Sequence, residues 1–337
     1  MRAYVIPADC QSIDQLRLVE REAPQPGPGQ VSIRIRAVSL NYRDQLIATG
    51  KYFGIPVTRE IIPTSDGAGE VIDVGQGVTR FKVGDRVAGC FAQADPNGPA
   101  SAPRAPLGLP LDGVLREQIV LHEDGVVAIP KSYSFEEAAC LPCAGVTAWN
   151  TLMVAGKPIV PGDTVLALGA GGVSTWALQL AHAAGARVIV TSSSDEKIER
   201  AKGLGASDGI NYRRHPQWDQ EVMRLTEGRG VDCVIEVGGQ GTLARSFRSL
   251  AFEGKVGLIG VLAGPSDDIA TDAFMFKRGH LHGIMVGERP LFEALNKAVE
   301  LNGIKPVIER VFAFNDAKAA FEQHRSGNFM GKVVIAV

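Results

Sequence analysis

The sequence predicts an α/β protein of two domains, one β-rich and one built on a doubly wound sheet. Three observations carry this. The first third alternates apolar and polar residues with period two, short apolar runs alternate with helical stretches from about residue 145, and a glycine-rich turn joins the first such run to the helix after it. At 337 residues and 45% hydrophobic content, the chain can bury a core large enough for two domains.

In the β-rich part, Val31, Ile33 and Ile35 alternate with Ser32, Arg34 and Arg36, which predicts a strand with one buried face. Gly69 to Gly75 and Val114 to Leu121 read as further strands, separated by turn clusters such as Val83-Gly84-Asp85. Ala94 to Leu111, rich in Pro, Ala and Gly without periodicity, reads as a surface loop or lobe.

The second pattern begins with Thr164-Val165-Leu166-Ala167-Leu168, an apolar run suited to a buried parallel strand. It feeds Gly169-Ala170-Gly171-Gly172-Val173-Ser174, then a helix whose Val173, Trp176, Ala177, Leu180, Ala181 and Ala184 form one apolar stripe, then the strand Arg187 to Thr191. Strand, glycine turn, helix and strand in that order lift a G-x-G motif above chance. Glycines let the backbone approach a pyrophosphate, whose charge meets N–H groups and the dipole at the helix N-terminus. The sixth motif position is Ser174 where the full motif has glycine. The alternation continues through a helix at Asp195 to Leu204, a strand near Ile210, a helix at Trp218 to Thr226 and the strand Val231 to Glu236. A helix at Thr242 to Phe252 and the strand Lys255 to Gly260 complete it. The last segment reads as helices at Leu291 to Leu301 and Asp316 to Arg325 and a strand at Lys332 to Val337.

A net charge of −2 gives no electrostatic footprint for nucleic acid. No apolar run approaches the roughly 18 residues of a membrane span, and Met1 to Pro7 is too short and too early broken for a secretory signal. The expectation is a cytoplasmic enzyme with no membrane partner. Five irregularly spaced cysteines fit reduced thiols, and Cys140-x-x-Cys143 reads as two buried thiols at a domain junction. Of the six histidines, His122 and His182 fall on a strand and a helix without evident partners. His280-x-His282 would share a strand face but lacks a third ligand, so a loop or core role is expected.

Asn41-Tyr42-Arg43-Asp44, Ser65-Asp66-Gly67-Ala68-Gly69 and Cys140 to Trp149 resemble segments of the medium-chain dehydrogenase/reductase superfamily, and the resemblance extends over essentially the whole chain. It is similar above all to the zinc-free branch of quinone oxidoreductases and enoyl reductases. The resemblance implies a GroES-like catalytic domain at residues 1–144 and 287–337, a Rossmann dinucleotide-binding domain at 145–286, and a homodimer joined near the edge strand Lys255 to Gly260. In zinc-containing members the first two segments supply a Cys and a His to the metal; here Asn41 and Ser65 stand there, and only Cys143 matches a ligand position. One thiolate cannot hold Zn²⁺, and Ala94 to Leu111 holds none of the four structural cysteines of zinc-containing relatives. No metal is expected.

In an NAD-selective unit an acidic residue about 20 positions beyond the glycine motif binds the adenosine ribose. Ser192 takes that place here, and Lys197 and Tyr212 resemble the pair that holds a 2′-phosphate in the zinc-free branch, which implies NADPH. Asp195 and Glu196 are close enough in sequence to reach the ribose instead, and Ser192 to Ser194 also fit an N-cap. The resemblance assigns Tyr42, Thr147, Gly169, Gly171, Gly172, Val173, Val237, Gly260 and Val261 to the same cofactor. Thr147 also fits plain packing at a helix start, and Glu236 reads as a cap for the turn after its strand.

Hydride arriving at a conjugated carbonyl builds negative charge on its oxygen, and without a metal that charge needs preorganised donors. Tyr52 is the first candidate donor, with Asn41 and Arg43 beside it, although Tyr52 also fits a cleft lining and Arg43 an ion pair with Asp44. Asp44 reads as a structural acceptor. The leading expectation is a metal-independent, NADPH-dependent reductase of a quinone, an α,β-unsaturated carbonyl or a related small molecule. A zinc-type alcohol or aldehyde dehydrogenase and a low-turnover NADPH-binding sensor are the alternatives.

Overall fold

The computed structural model describes residues 1–94, 104–266 and 269–337. The chain forms two compact units, Met1–Ala144 with Gly287–Val337, and Gly145–Val286.

The first unit is built on a seven-stranded sheet. Its order runs Ile308–Ala313, Lys332–Ala336, Gln30–Ser39, Asp66–Val74, Arg86–Gly89 and Val126–Ala128, with Gln118–His122 also paired to Gln30–Ser39. The period-two pattern places Val31, Ile33 and Ile35 on the buried face, where they meet Val71, Ile119, Val333 and Ile335 in one core. Between Gln30–Ser39 and Asp66–Val74 the register shifts at Ile35/Ala37. A Cβ on Gly69 would lie 2.0 Å from the Arg34 carbonyl oxygen, so the close strand approach there requires glycine.

The second unit holds six parallel strands in the order Asp208–Asn211, Arg187–Ser192, Thr164–Leu168, Val231–Glu236, Leu250–Leu258 and His280–Gly283. The order in which successive strands are added reverses between Thr164–Leu168 and Val231–Glu236, a switch point that opens a crevice at the strands' carboxyl ends. Leu166, Ile189, Val234 and Val256 pack with Trp218, Val222 and Phe247 of the covering helices.

Several boundaries differ from the sequence expectations. The helix expected over Thr242 to Phe252 spans Leu243–Arg248, and the strand after it starts at Leu250 and ends at Leu258, short of Gly260. Leu250 and Ala251 are buried, and Leu250 pairs with Val231; the left-handed Glu253 (φ 59°) lies before the strand resumes against Cys233. Lys255 to Gly260 is therefore no edge: His280–Gly283, which no pattern in the sequence marked, pairs outside it. The expected strand Val114 to Leu121 is formed only over Gln118–His122, because Leu115 accepts from the Tyr4 N–H and Arg116 bridges Ala3. Of the segment read as a loop from Ala94 to Leu111, residues 95–103 lie outside the described residues, and Ala105–Pro106 pairs with Ala92–Gln93 as a short ladder.

Candidate active site

In the Gly145–Val286 unit the glycine turn sits at the carboxyl end of the central strand. Gly169 has φ 74°, a left-handed conformation that glycine adopts without steric cost. Gly171 is the N-cap of the helix Gly172–Ala183, and a Cβ added at Gly169 or Gly171 would meet no atom within 4 Å. The N-cap has no side chain to bond the first N–H groups, so they are left for a ligand. Ser174 is buried and donates its hydroxyl to the Leu168 carbonyl at 2.6 Å, tying helix to strand where a glycine would pack. Val237, Gly260 and Val261 follow the next two strands on the same carboxyl side, all partly exposed. A Cβ at Gly260 would press to 2.8 Å on the Val237 carbonyl oxygen, so these loops touch through backbone. Glu236 is fully buried and accepts from the N–H groups of Gly238 and Gly239 and the hydroxyls of Thr242 and Ser246; it caps this turn.

At the end of the neighbouring strand, Ser192 is buried and accepts the Ser194 N–H at 3.2 Å, while Ser194 caps the helix Asp195–Lys202. The turn and N-cap reading of Ser192 to Ser194 therefore holds. Asp195 is taken by the Asn211 carboxamide at 2.8 Å and the Arg214 guanidinium at 2.5 Å, which draws it away from a ribose. Lys197 is half-buried on that helix, and Tyr212 follows the strand Asp208–Asn211 with its ring exposed. Arg213 and Arg214 follow Tyr212 on an exposed turn, with Arg214 paired to Asp195; the sequence reading passed over them because a pair of arginines after a strand looks like any solvated turn. Thr147 is buried in the first turn of Val146–Met153, as packing requires.

The Met1–Ala144 and Gly287–Val337 unit brings together residues far apart in sequence. Asn41 caps the helix Tyr42–Ala48, and Asp44 returns to accept the Asn41 N–H at 2.8 Å. Burial pushes the Asp44 carboxyl up to about 6 against the opposing Arg43 charge. The Asn41 carboxamide oxygen accepts from the Lys332 ammonium at 2.5 Å, and Lys332 also donates to the Leu40 carbonyl at 2.7 Å. On the other side the amide nitrogen reaches the Ser65 hydroxyl at 3.4 Å, and Ser65 donates to Asp66 at 2.7 Å. Asp66 also accepts the Cys143 N–H at 3.0 Å; burial raises its carboxyl, with Lys332 the main opposing influence. Lys332 and Asp66 were missed because nothing local marks them: Lys332 opens the terminal strand, 291 residues from Asn41.

This donor set does not fit zinc. The family-type positions hold an amide, a hydroxyl and one thiol, an ammonium already bonds the amide oxygen, and burial pushes the Cys143 thiol above its ordinary range, away from the thiolate that binds metal. Among the described residues no group of three or more His, Cys, Asp or Glu is placed to hold a metal.

Arg43 is buried and donates to the carbonyls of Leu107 and Leu109 at 2.7 and 3.2 Å, with Asp44 at 3.9 Å. Its guanidinium lies over the rings of Tyr52 and Phe91, 5.2 and 4.9 Å from their centroids. The Tyr52 ring also packs on Phe53, 5.1 Å away, and its hydroxyl has no hydrogen bond among the described residues. Tyr42 is exposed at the first position of the helix. His122, His280 and His282 make no bond to this cluster among the described residues, whereas His324 has its protonation opposed by burial and by the Lys332 charge. His122 is not without a partner, since its Nδ1 accepts the Asp124 N–H at 3.2 Å. His280 and His282 stack 6.3 Å apart on the outer strand, in neither a loop nor the core.

Comparison with known proteins matches both units. Residues 27–131 match the alcohol dehydrogenase GroES-like domain and residues 172–301 the zinc-binding dehydrogenase domain. A zinc-type alcohol dehydrogenase-like protein of Schizosaccharomyces pombe is 42% identical, covering 99% of both chains. Among solved structures, a quinone oxidoreductase of Pseudomonas syringae pv. tomato is 30% identical with full coverage of both chains and a TM-score of 0.84. A mycobacterial protein complexed with NADPH is 27% identical, again with full coverage, with a TM-score of 0.83. With its family-type segments filled by Asn41, Ser65 and the Lys332 ammonium, the chain belongs to the alcohol dehydrogenase-like medium-chain dehydrogenase/reductase family, related within it to quinone oxidoreductases and enoyl reductases.

Proposed function

We propose that the protein is an NADPH-dependent, metal-independent reductase of a quinone, an α,β-unsaturated carbonyl or a related activated small molecule. The observation that carries this reading is the Lys332–Asn41–Ser65–Asp66 chain, which fills a metal position with hydrogen bonds. The names of the quinone oxidoreductase and the NADPH complex among the similar structures support it. We assign catalysis to residues 1–144 and 287–337 and cofactor binding to residues 145–286.

Bound NADPH supplies the hydride. Gly169, Gly171, Gly172 and Val173 receive the pyrophosphate, Ser192, Lys197 and Tyr212 the 2′-phosphate, and Tyr42, Thr147, Val237, Gly260 and Val261 the remainder. Tyr52 donates its free phenolic O–H to the substrate oxygen as charge develops there. Asn41 is the second donor: its 3.4 Å bond to Ser65 is long for N–H···O and exchanges readily for a better acceptor. Arg43 is the third donor: two of its five N–H groups bond the Leu107 and Leu109 carbonyls, its Nε is unbonded among the described residues, and its guanidinium lies over the Tyr52 ring.

The test is NADPH oxidation across a panel of quinones, enones, aldehydes and ketones. Turnover on a quinone or an enone is expected. Tight NADPH binding with no turnover anywhere on the panel would replace this reading with the sensor. No helix among the described residues is long and apolar enough to cross a membrane, and a cytoplasmic homodimer completes the proposal.

A further inference from the structure

A cavity of about 360 Å³ lies in the first unit, lined by Arg21, Glu22, Pro24, Glu60, Asp112 and Arg116 with Val5, Ile61 and Ile62 behind them. That volume is of the order that holds a small organic molecule. Three cationic groups, the Met1 ammonium, Arg21 and Arg116, and three carboxylates, Glu22, Glu60 and Asp112, line it, and the Met1 ammonium donates to the Arg21 carbonyl. Glu60 is held by Arg17 and Arg21. Asp112 pairs with Arg59 at 2.8 Å and accepts the Ile62 N–H at 3.3 Å. Glu22 is exposed to water. The Arg116 guanidinium alone has no hydrogen bond or ion pair among the described residues, and its Nε is sealed from solvent. Burial lowers its guanidinium to about 10, opposed only by Asp112.

A half-buried guanidinium with one sealed, unbonded nitrogen favours an anion at its open end, and a planar fork of donors is matched best by a carboxylate. The surrounding carboxylates disfavour a dianion. Val5, Ile61, Ile62 and Pro24 give an apolar wall for a short chain. We propose that this cavity binds a short-chain organic monocarboxylate, its head paired with Arg116 and its tail on the apolar wall. The site is independent of the reductase reading, since it contains none of the residues assigned to cofactor or catalysis.

The test is calorimetric and thermal-shift titration of the full chain with butyrate, with butyramide as the uncharged isostere and chloride at equal ionic strength. Saturable binding and stabilisation by butyrate alone are expected. Arg116→Gln should weaken butyrate by about tenfold or more, the loss of a charge-assisted contact, while Arg59→Gln at the rim leaves it nearly unchanged. If Arg116→Gln does not fold, Arg116→Lys, which keeps the charge but not the fork, is expected to weaken butyrate in the same assay. Equal effects of butyrate, butyramide and chloride on the wild type, or undiminished butyrate binding in whichever variant folds, would overturn the site. Because binding is read without turnover, this result stands apart from any failure of the NADPH oxidation panel.

Discussion

Tyr52 carries the sharpest consequence at the scale of single residues. Its ring is held by Arg43 and Phe53 while its hydroxyl has no hydrogen bond among the described residues, so Tyr52→Phe removes a donor and leaves the packing. Turnover on an enone is expected to fall about 10²- to 10³-fold, with NADPH affinity unchanged and a smaller loss on a quinone, which accepts hydride with less help. Full enone turnover in both Tyr52→Phe and Asn41→Ala would reduce the site to a cleft that only aligns reactants. The 2′-phosphate reading turns on Lys197, whose removal should weaken NADPH by about tenfold or more and NADH little; equal losses would reject it. Metal content follows from Lys332. With an ammonium bonded to Asn41 in the would-be ligand pocket, elemental analysis should find no stoichiometric zinc, and chelator should leave turnover unchanged. Asn41, Ser65 and Cys143 were legible as an incomplete ligand set because the segments around them are contiguous. Lys332 was not legible, since a buried cation is defined by what surrounds it, and its partners come from the opposite end of the chain.

Secondary elements set the cofactor crevice, above all the helix Gly172–Ala183 and the turn before it. Gly171 has an ordinary backbone conformation and open space in front of it, so a larger side chain there costs the fold little and occupies the space left for pyrophosphate. Gly171→Val is expected to weaken NADPH more than tenfold, since backbone N–H contacts to phosphate are lost, with the unfolding midpoint in denaturant nearly unchanged. A large fall in that midpoint together with the affinity would mean that Gly171 serves the fold and not the ligand. The elements that the sequence displayed well are those with long apolar runs: Thr164–Leu168, Arg187–Ser192 and Val231–Glu236. Those it hid are short or polar. The helix Tyr42–Ala48 buries Arg43, Asp44 and Gln45 and shows no apolar stripe. His280–Gly283 is an outer strand with mostly exposed side chains, so neither alternation nor an apolar run marks it.

At the scale of the whole molecule, that same strand is a sheet edge unpaired among the described residues. Parallel strands alternate the side to which their N–H groups point, and the N–H of Ile284 donates inward to the Leu258 carbonyl. The N–H groups of Leu281 and Gly283 then face outward. Exposed apolar side chains accompany them: Leu281 is 39% and Met285 67% accessible, with Met275 and Phe276 of the helix Thr271–Phe276 also exposed in the same unit. An open edge with free donors and apolar neighbours is a template for pairing, and a second copy related by a two-fold axis presents the same donors in antiparallel order. Light scattering at micromolar concentration is therefore expected to give twice the 35.8 kDa of one chain. Leu281→Lys with Met285→Lys places charge on the edge without touching the cores and should yield a monomer with NADPH affinity retained. A wild-type monomer would reject the dimer outright, whereas a dimer that survives both lysines would move the interface to another face.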